Sequence, residues 1–265
     1  MCTTCADTGW VQVSREGIDG VVRCECMKGS RAERLLANAR IPERYLHCEF
    51  ENFEILRTPD RSIEKAKVNA EKFVEEYPIP HPFGLLFMGP QGVGKTHLAV
   101  AIIKKLIKSK SVSCLFRTFP ELLKEIQNSY NPVSRTSEFS LLRPVLETEV
   151  LVLDELGAHN PSEWVQEEVA YVLNYRYNGN KTTILTTNYQ DEPEKKDRKV
   201  EVADSLMTDS EYEKLGKKER KVGISDTLTE RIGVRMRSRL YEMCKTVRMN
   251  GNDFRRVVKQ AEHRI

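Results

Sequence analysis

The sequence predicts an α/β fold of three layers, in which helices cover both faces of a parallel five-stranded sheet. Three apolar or β-branched runs indicate it, at 85–88, 150–153 and 182–187. Each run is followed by glycine or polar residues, and segments with helical periodicity lie between them. Strands that alternate with helices form parallel sheets joined by right-handed crossovers. Such sheets bind ligands at the carboxyl ends of their strands, so functional residues are expected there.

The full set of candidate strands is 85–88, 112–116, 150–153, 182–187 and 245–249. The first of them is apolar throughout, as expected for a strand buried on both faces. The segment from His97 to Lys108 has apolar residues at helical spacing among lysines, which predicts an amphipathic helix. A strand, a glycine-rich loop and a helix therefore follow one another directly.

The loop between this strand and this helix has the GxxxxGK[ST] spacing of a phosphate-binding loop. Its glycines let backbone N–H groups point at phosphate oxygens. Lys95 can reach the β- and γ-phosphates, the Thr96 hydroxyl can ligate Mg²⁺, and the positive end of the helix dipole faces the same site. The residues predicted to bind a nucleoside triphosphate are Gly89, Pro90, Gln91, Gly92, Val93, Gly94, Lys95, Thr96 and His97.

Polar residues also end the next two buried runs. Asp154, directly after 150–153, is expected to hold Mg²⁺ directly or through water, and Glu155 is expected to polarise the attacking water. Asn188 ends the run at 182–187 and is predicted to sense the γ-phosphate or orient that water. Two simpler interpretations stay open, namely a strand that ends in surface acids and an asparagine that forms a turn.

Four of the seven cysteines form two close pairs, Cys2 with Cys5 and Cys24 with Cys26, separated by 18 residues. Two thiolate pairs at this separation predict a closed, structural Zn²⁺ site, since zinc takes four such ligands tetrahedrally. The intervening segment predicts a hairpin with its turn at 17–20. Free thiols in a frayed terminus are the alternative. Cys48, Cys114 and Cys244 are expected to be buried apolar residues, and His47 is not expected to be a ligand.

The charge balance is nearly neutral, at 42 basic and 39 acidic residues, and does not by itself indicate a nucleic-acid partner. From 231 to 265, however, ten basic residues face three acidic ones, which predicts a basic surface there or a few functional arginines. No apolar run is long enough to span a membrane, and no secretion signal is visible. We therefore expect a cytoplasmic protein without a membrane partner, with its cysteines reduced.

Together these motifs resemble those of AAA+ ATPases, and in particular the bacterial replicative helicase loaders of the DnaC/DnaI type and their transposition relative IstB. The similarity extends over about 40–259. The stretches that carry it are Arg40 to Tyr45, Gly89 to Ala99, Leu151 to Gly157, Thr186 to Asn188, Glu230 to Gly233, Arg237 to Leu240 and Asn250 to Arg255. The cysteine segment is similar to the zinc-bearing module of DnaI-like loaders.

The resemblance implies an AAA+ P-loop ATPase that loads a hexameric replicative helicase onto single-stranded DNA, with hydrolysis driving release. It implies that Arg239 completes a neighbouring copy's site as an arginine finger, hence a homo-oligomer, although Arg235 and Arg237 stay candidates. It places DNA contacts between 116 and 130, where Arg117 or Tyr130 is expected to face outward and the leucines inward. An IstB-like transposition helper and a nucleotide-switched adaptor with little turnover are the alternatives.

The expected organisation is a zinc-binding module at 1–30, a helical lead-in at 31–80 and the AAA+ domain at 81–265. Two departures from the family are visible. Residues 190–222 form a charge-dense insertion, and little chain remains after 259 for a helical lid. Arg255 is therefore the remaining candidate for the second nucleotide sensor.

Overall fold

The computed structural model describes residues 2–6, 8–15, 18–55, 60–79, 84–130, 137–191 and 227–259. Its strands are β1 (Trp10–Arg15), β2 (Ile18–Arg23), β3 (Gly84–Met88), β4 (Cys114–Thr118), β5 (Val150–Asp154), β6 (Thr182–Thr187) and β7 (Cys244–Arg248). Its helices are α1 (Glu25–Asn38), α2 (Ser62–Glu76), α3 (Lys95–Lys110), α4 (Phe119–Ser129), α5 (Glu138–Glu147), α6 (Glu163–Asn178), α7 (Leu228–Ile232) and α8 (Val234–Met243). A 3₁₀ turn lies at Glu43–Tyr45 and a π-helical turn at Arg255–Lys259.

Strands β3 to β7 form one parallel sheet in the order β4-β5-β6-β3-β7. The predicted parallel five-stranded sheet is therefore confirmed, and no predicted strand end is displaced by more than two residues. The order matters for the site, because β6 lies between β3 and β5. The ends of these three strands consequently bring the glycine loop, the acidic pair and Asn188 to one edge of the sheet.

The sheet has a helical layer and a buried core on each face. Along β3, Leu85 and Phe87 belong to the core formed with α2 and α3. Leu86 and Met88 point to the other face and belong to the core formed with α4, α5, α6 and α8. Such alternation of buried side chains is expected of a strand covered on both sides. The three-layer prediction is confirmed.

The predicted lead-in, 31–80, supplies part of the first of these cores. Ala66, Ala70 and Phe73 of α2 are buried there. Ala39, which follows α1, is also buried, and its carbonyl accepts a 2.8 Å hydrogen bond from the backbone of Phe116 in β4. Helix α1 begins at Glu25, so the predicted module boundary at 30 falls inside a helix.

Strands β1 and β2 form the predicted N-terminal hairpin, with Trp10 opposite Arg23. The predicted turn was placed too late, since Ile18 begins β2 and only 16–17 separate the two strands. A hairpin register that pairs 15 with 18 takes the residues from 18 onward into the ladder.

The predicted insertion, 190–222, begins too early. Gln190 forms a parallel bridge with Thr227 and accepts a 2.8 Å hydrogen bond from the backbone of Leu228. Asp191 forms an ion pair with Arg237. These two residues are therefore bonded to the described fold, and the remainder of the predicted insertion, 192–222, lies outside the described residues.

Candidate nucleotide-binding site

The glycine-rich loop after β3 is held between two distant parts of the chain. Gly92 and Gly94 have φ values of 77° and 95°, which favour glycine. A Cβ on Gly94 would lie 2.5 Å from Cε2 of Phe53, and one on Gly92 would lie 1.9 Å from Oδ1 of Asp253. The glycines therefore serve both the backbone conformation and the close approach of the lead-in and the C-terminal segment.

Lys95 is the buried cation of this loop. Its Nζ donates hydrogen bonds to the carbonyls of Gly89 at 2.8 Å and Pro90 at 2.6 Å. Burial lowers the pKa of Lys95 to about 8, against the opposing effect of the Asp154 carboxylate. The ammonium group is thus fixed inside the loop, where a phosphate group would meet both a positive charge and backbone N–H groups.

Asp154 lies behind the loop at the end of β5 and is fully buried. Its Oδ1 accepts hydrogen bonds from the hydroxyls of Thr96 at 2.9 Å and Thr186 at 2.6 Å. Its Oδ2 is buried and has no hydrogen-bond partner among the described residues. Burial raises the pKa of this carboxyl group. A buried carboxylate beside a threonine hydroxyl offers the oxygen ligands that Mg²⁺ prefers, so these two residues fit a magnesium site.

Glu155 turns the chain sharply after β5. Its φ is 60°, a left-handed conformation that is uncommon for a residue other than glycine. Its backbone N–H donates a 3.0 Å hydrogen bond to the Thr186 hydroxyl, and the next residue, Leu156, donates to the Thr186 carbonyl at 2.8 Å. These bonds leave the Glu155 side chain exposed at the cleft. Backbone strain of this kind is concentrated at functional sites.

Thr186 is the central residue that the sequence did not reveal as functional. It contacts the carboxylate of Asp154 and the backbone of Glu155 at once. The available signal was its place in the same run as Asn188, two residues before that asparagine. Its partners could not be read from the sequence, because they depend on β6 lying next to β5.

The loop opens into a cleft of about 570 Å³, a size typical of small-molecule sites. The predicted site residues that line it are Gln91, Gly92, Val93, Gly94, Lys95, Thr96, His97, Glu155 and Asn188. Gly89 and Pro90 lie next to the cleft, because their carbonyls accept the hydrogen bonds of Lys95, which lines it. The lead-in adds further walls, among them Arg44, Tyr45 and Phe53, and the C-terminal segment adds Phe254 and Arg255.

His97 lines the cleft, but its imidazole is occupied by protein contacts. Its Nε2 lies 2.8 Å from the carbonyl of Glu49, and its ring packs edge-on against Phe53 at 5.1 Å between centroids. Burial lowers the pKa of His97, which favours the neutral ring. In the described contacts His97 supports Phe53, so its predicted nucleotide contact stays a prediction.

The three candidate arginines of α8 lie outside this cleft and differ in environment. Arg235 is exposed. Arg237 is buried and paired with Asp191. Arg239 is half-buried, donates a hydrogen bond to Asn174, and lies 5.0 Å from the ring centre of Tyr177.

The four N-terminal cysteines come together as predicted. Their sulfur atoms all lie within 4.8 Å of one another, with Cys2 and Cys24 3.7 Å apart and Cys5 and Cys26 3.4 Å apart. Tetrahedral ligation at the usual Zn–S bond length places sulfurs about 3.8 Å apart. Hydrogen bonds from the backbone of Cys5 and Thr4 lower the pKa of Cys2 to about 6. The cluster therefore could hold a tetrahedral metal ion.

The three remaining cysteines, Cys48, Cys114 and Cys244, are buried, as expected.

The segment predicted to contact DNA has both buried and exposed side chains. Phe119, Leu122, Leu123 and Ile126 of α4 are buried, and Tyr130, which follows the helix, is exposed, also as expected. The other outward candidate is not exposed, because the Arg117 side chain is 11% exposed and paired with Glu125.

A family model described as IstB-like ATP binding protein matches residues 25–226. The chain belongs to this family. A crystal structure of the DnaC helicase loader is 28% identical, with a TM-score of 0.58, and the match covers 78% of this chain and 99% of that one. The predicted resemblance to DnaC-type loaders is therefore confirmed.

Two curated relatives of this IstB-like protein match along part of their length. The replicative helicase loader DnaC of Buchnera aphidicola subsp. Schizaphis graminum is 28% identical over 162 residues, which are 61% of this chain and 63% of the relative. The uncharacterized protein YqaM of Bacillus subtilis is 28% identical over 172 residues, 62% of this chain and 53% of the relative. The chain thus spans between about half and two thirds of their length. None of the described helices has the length and apolar composition needed to cross a bilayer.

Proposed function

We propose that this IstB-like protein is an ATP-dependent loader of a replicative DNA helicase. It binds ATP and Mg²⁺ in the cleft described above, assembles with copies of itself, and places the hexameric helicase on single-stranded DNA. Hydrolysis then releases the loader from the helicase. The observation that carries this proposal is the DnaC loader crystal structure, since it matches 78% of this chain at 28% identity.

The cleft supports the ATPase part of the proposal through its donor set. The backbone of 89–94 and Lys95 would hold the phosphates, while Thr96 and Asp154 would hold Mg²⁺. When bound, the metal would offset negative charge on the phosphates. Glu155 would accept a proton from the attacking water, and Asn188 would orient that water or contact the γ-phosphate.

In this proposal ATP hydrolysis requires an oligomer, because Arg239 of one copy acts on the ATP bound by its neighbour. A guanidinium group brought to a neighbour's phosphates stabilises the charge of the transition state and is worth roughly 10³–10⁵ in rate. Arg239 does not line the cleft of its own chain, as a residue acting on a neighbour would require. Head-to-tail contact of this kind produces an arc, a spiral or a ring.

The cysteine module is proposed to bind structural Zn²⁺ and to contact the helicase. Its hairpin is too small to form a core of its own, so metal ligation would supply folding energy. Trp10 and Val21 are both exposed, at 51% and 61%, and their register puts them on one face of the hairpin. An exposed apolar face of this kind suits contact with a protein partner.

The test is co-purification of the zinc-loaded protein with the replicative helicase of its source organism, with and without ATP. We expect an ATP-dependent complex that forms on single-stranded DNA. Lys95→Ala should abolish the ATP dependence. Lys105→Ala is the matched control on the same helix, since Lys105 is exposed and its ion pair with Glu51 lies at the surface.

Two outcomes would redirect the proposal. Absence of a complex under every condition would argue against loading and favour an IstB-like transposition helper. A complex that responds to ATP but shows the same turnover in wild type and Glu155→Gln would argue for a nucleotide-switched adaptor.

A further inference from the structure

Arg237 fastens α8 to the end of the strand segment that carries Asn188. Its side chain is 3% exposed, and both Nε and Nη2 donate to the carboxylate of Asp191, the second at 2.8 Å. The guanidinium carbon also lies 3.7 Å from the ring centre of Tyr241. A bidentate pair fixes orientation as well as distance, which a single hydrogen bond does not. Arg237 is therefore an anchor of α8.

Asp191 stands three residues after Asn188, at the end of a well-bonded segment. The Thr187 hydroxyl donates to the Leu156 carbonyl at 2.9 Å and accepts from the backbone of Tyr189 at 3.2 Å. The Asp191 side chain is 11% exposed, and the hydrogen bonds from Arg237 hold its pKa below the usual value. The carboxylate is thus an ionised, largely buried group that Arg237 holds at the end of the segment carrying Asn188.

Arg237 and Arg239 lie on opposite sides of the same helix. Residues two positions apart in an α-helix are separated by about 200° around the helix axis. Arg237 points to Asp191, whereas Arg239 points to Asn174 and Tyr177 of α6. A shift of α8 relative to Asp191 would therefore move both arginines together.

We propose that Asp191 and Arg237 are positioning residues that hold α8 in register with Asn188 and so set where Arg239 meets the neighbouring copy's cleft. The inference rests on the proposed function, in which Arg239 acts in trans. It assigns Arg237 an internal role and removes it as a candidate finger. It also links each protomer's own cleft to the arginine that it offers to its neighbour.

The first experiment tests the proposed function alone. Lys95→Ala supplies an intact finger without a working site, and Arg239→Ala supplies an intact site without a finger. Mixing the two should restore ATP hydrolysis that neither shows alone. Failure to restore it would refute the finger in trans, and the positioning role with it, before Asp191 or Arg237 is changed.

The second experiment tests the positioning role in the same mixture. Arg237→Lys or Asp191→Asn is added to the Lys95→Ala donor, and we expect activation of the Arg239→Ala recipient to fall roughly 100-fold, as for misplaced catalytic groups. Lysine keeps the charge but cannot make the paired bonds. Arg248→Gln is the control donor, because Arg248 lies 3.8 Å from the same carboxylate but is 69% exposed and belongs to β7.

The readout separates positioning from folding. In chains with an intact Lys95, Arg237→Lys and Asp191→Asn should bind an ATP analogue with the affinity of wild type. A matching loss of nucleotide affinity and donor activity would make the pair merely structural and overturn the inference. Full donor activity with Asp191→Asn would overturn it as well. That result would mean that the finger does not depend on the Asp191–Arg237 pair, or that Arg237, released from Asp191, is itself the finger.

Discussion

Replacing Arg176 should greatly lower the free energy of unfolding while leaving the nucleotide cleft almost unchanged. Its side chain is fully buried in α6, at the end of the sheet opposite the cleft. The guanidinium group has no carboxylate partner among the described residues. It donates instead to one hydroxyl and five carbonyls, those of Thr183, Val145, Leu146, Thr148, Glu149 and Thr182. Several of these carbonyls end α5, where the helix dipole favours a positive charge.

Replacing Arg176 with methionine keeps much of the apolar volume and removes every one of these donors. If two of the carbonyls stay buried without a partner, at about 2 kcal/mol each, unfolding becomes easier by about 4 kcal/mol. For a chain of this size each kcal/mol lowers Tm by about 2–4 °C, so we expect a fall of about 8–16 °C. Arg176→Lys should fall between wild type and the methionine variant, since an ammonium group offers three donors.

Thermal and urea unfolding followed by circular dichroism measure this effect, with nucleotide affinity as a check on the site. Arg143→Gln is the control, because Arg143 belongs to the neighbouring α5 and its 3.1 Å pair with Glu147 is exposed. That variant should remain within about 0.5 kcal/mol of wild type. An Arg176→Met protein that unfolds within about 1 kcal/mol of wild type would refute the assignment of Arg176 as the main polar contact of this end of the sheet.

Three further predictions concern the site and its surroundings. Glu155→Gln should keep ATP affinity but lower turnover by at least about 10²-fold, and steady-state kinetics beside equilibrium binding would test this. Cys24→Ser should lose bound zinc, measured by atomic emission, and retain ATP affinity. Hydrogen bonds from Lys108 and Lys104 lower the pKa of Glu49 to about 2. The folded-state pKa lies below the unfolded value, so this carboxylate stabilises the fold above about pH 4.5 and the gain disappears as pH falls toward 2. Urea unfolding should find Glu49→Gln weaker by at most about 1 kcal/mol at pH 7, and equal to wild type near pH 2.

The sequence predicted the parts of the site that lie within one short stretch of chain. The glycine loop and Lys95 follow a fixed spacing, and the strands show their burial through apolar composition. The four cysteines were also predicted to meet, and their sulfur atoms lie within 4.8 Å of one another, since two close pairs can come together across a hairpin. In each case the physical requirement acts over a few residues, so it leaves a pattern that can be read without the fold.

Contacts between distant segments left no such pattern. Thr186 bonds to Asp154 because β6 inserts between β3 and β5, a strand order that the chain order does not reveal. Spacing alone left Arg235, Arg237 and Arg239 as alternative fingers, and it did not reveal that Arg237 is buried and paired with Asp191. Gln190 was assigned to an insertion because the charge-dense composition begins there, whereas its backbone pairs with Thr227, 37 positions later.

The C-terminal segment after β7 forms the wall of the cleft on the side of the glycine loop. Asn250 donates to Asp60 at 3.0 Å, and its backbone donates to the Ser62 hydroxyl at 2.8 Å, so the segment is fastened to the start of α2. From there the backbone of Phe254 donates to the Gly92 carbonyl at 3.2 Å. The loop therefore accepts a backbone hydrogen bond from a segment that is itself fastened to α2. Because Phe254 also lines the cleft, a ligand held by the loop would meet a wall whose position depends on α2. We therefore expect a ligand bound at this site to favour this arrangement of the C-terminal segment, since it would contact the wall that the segment forms.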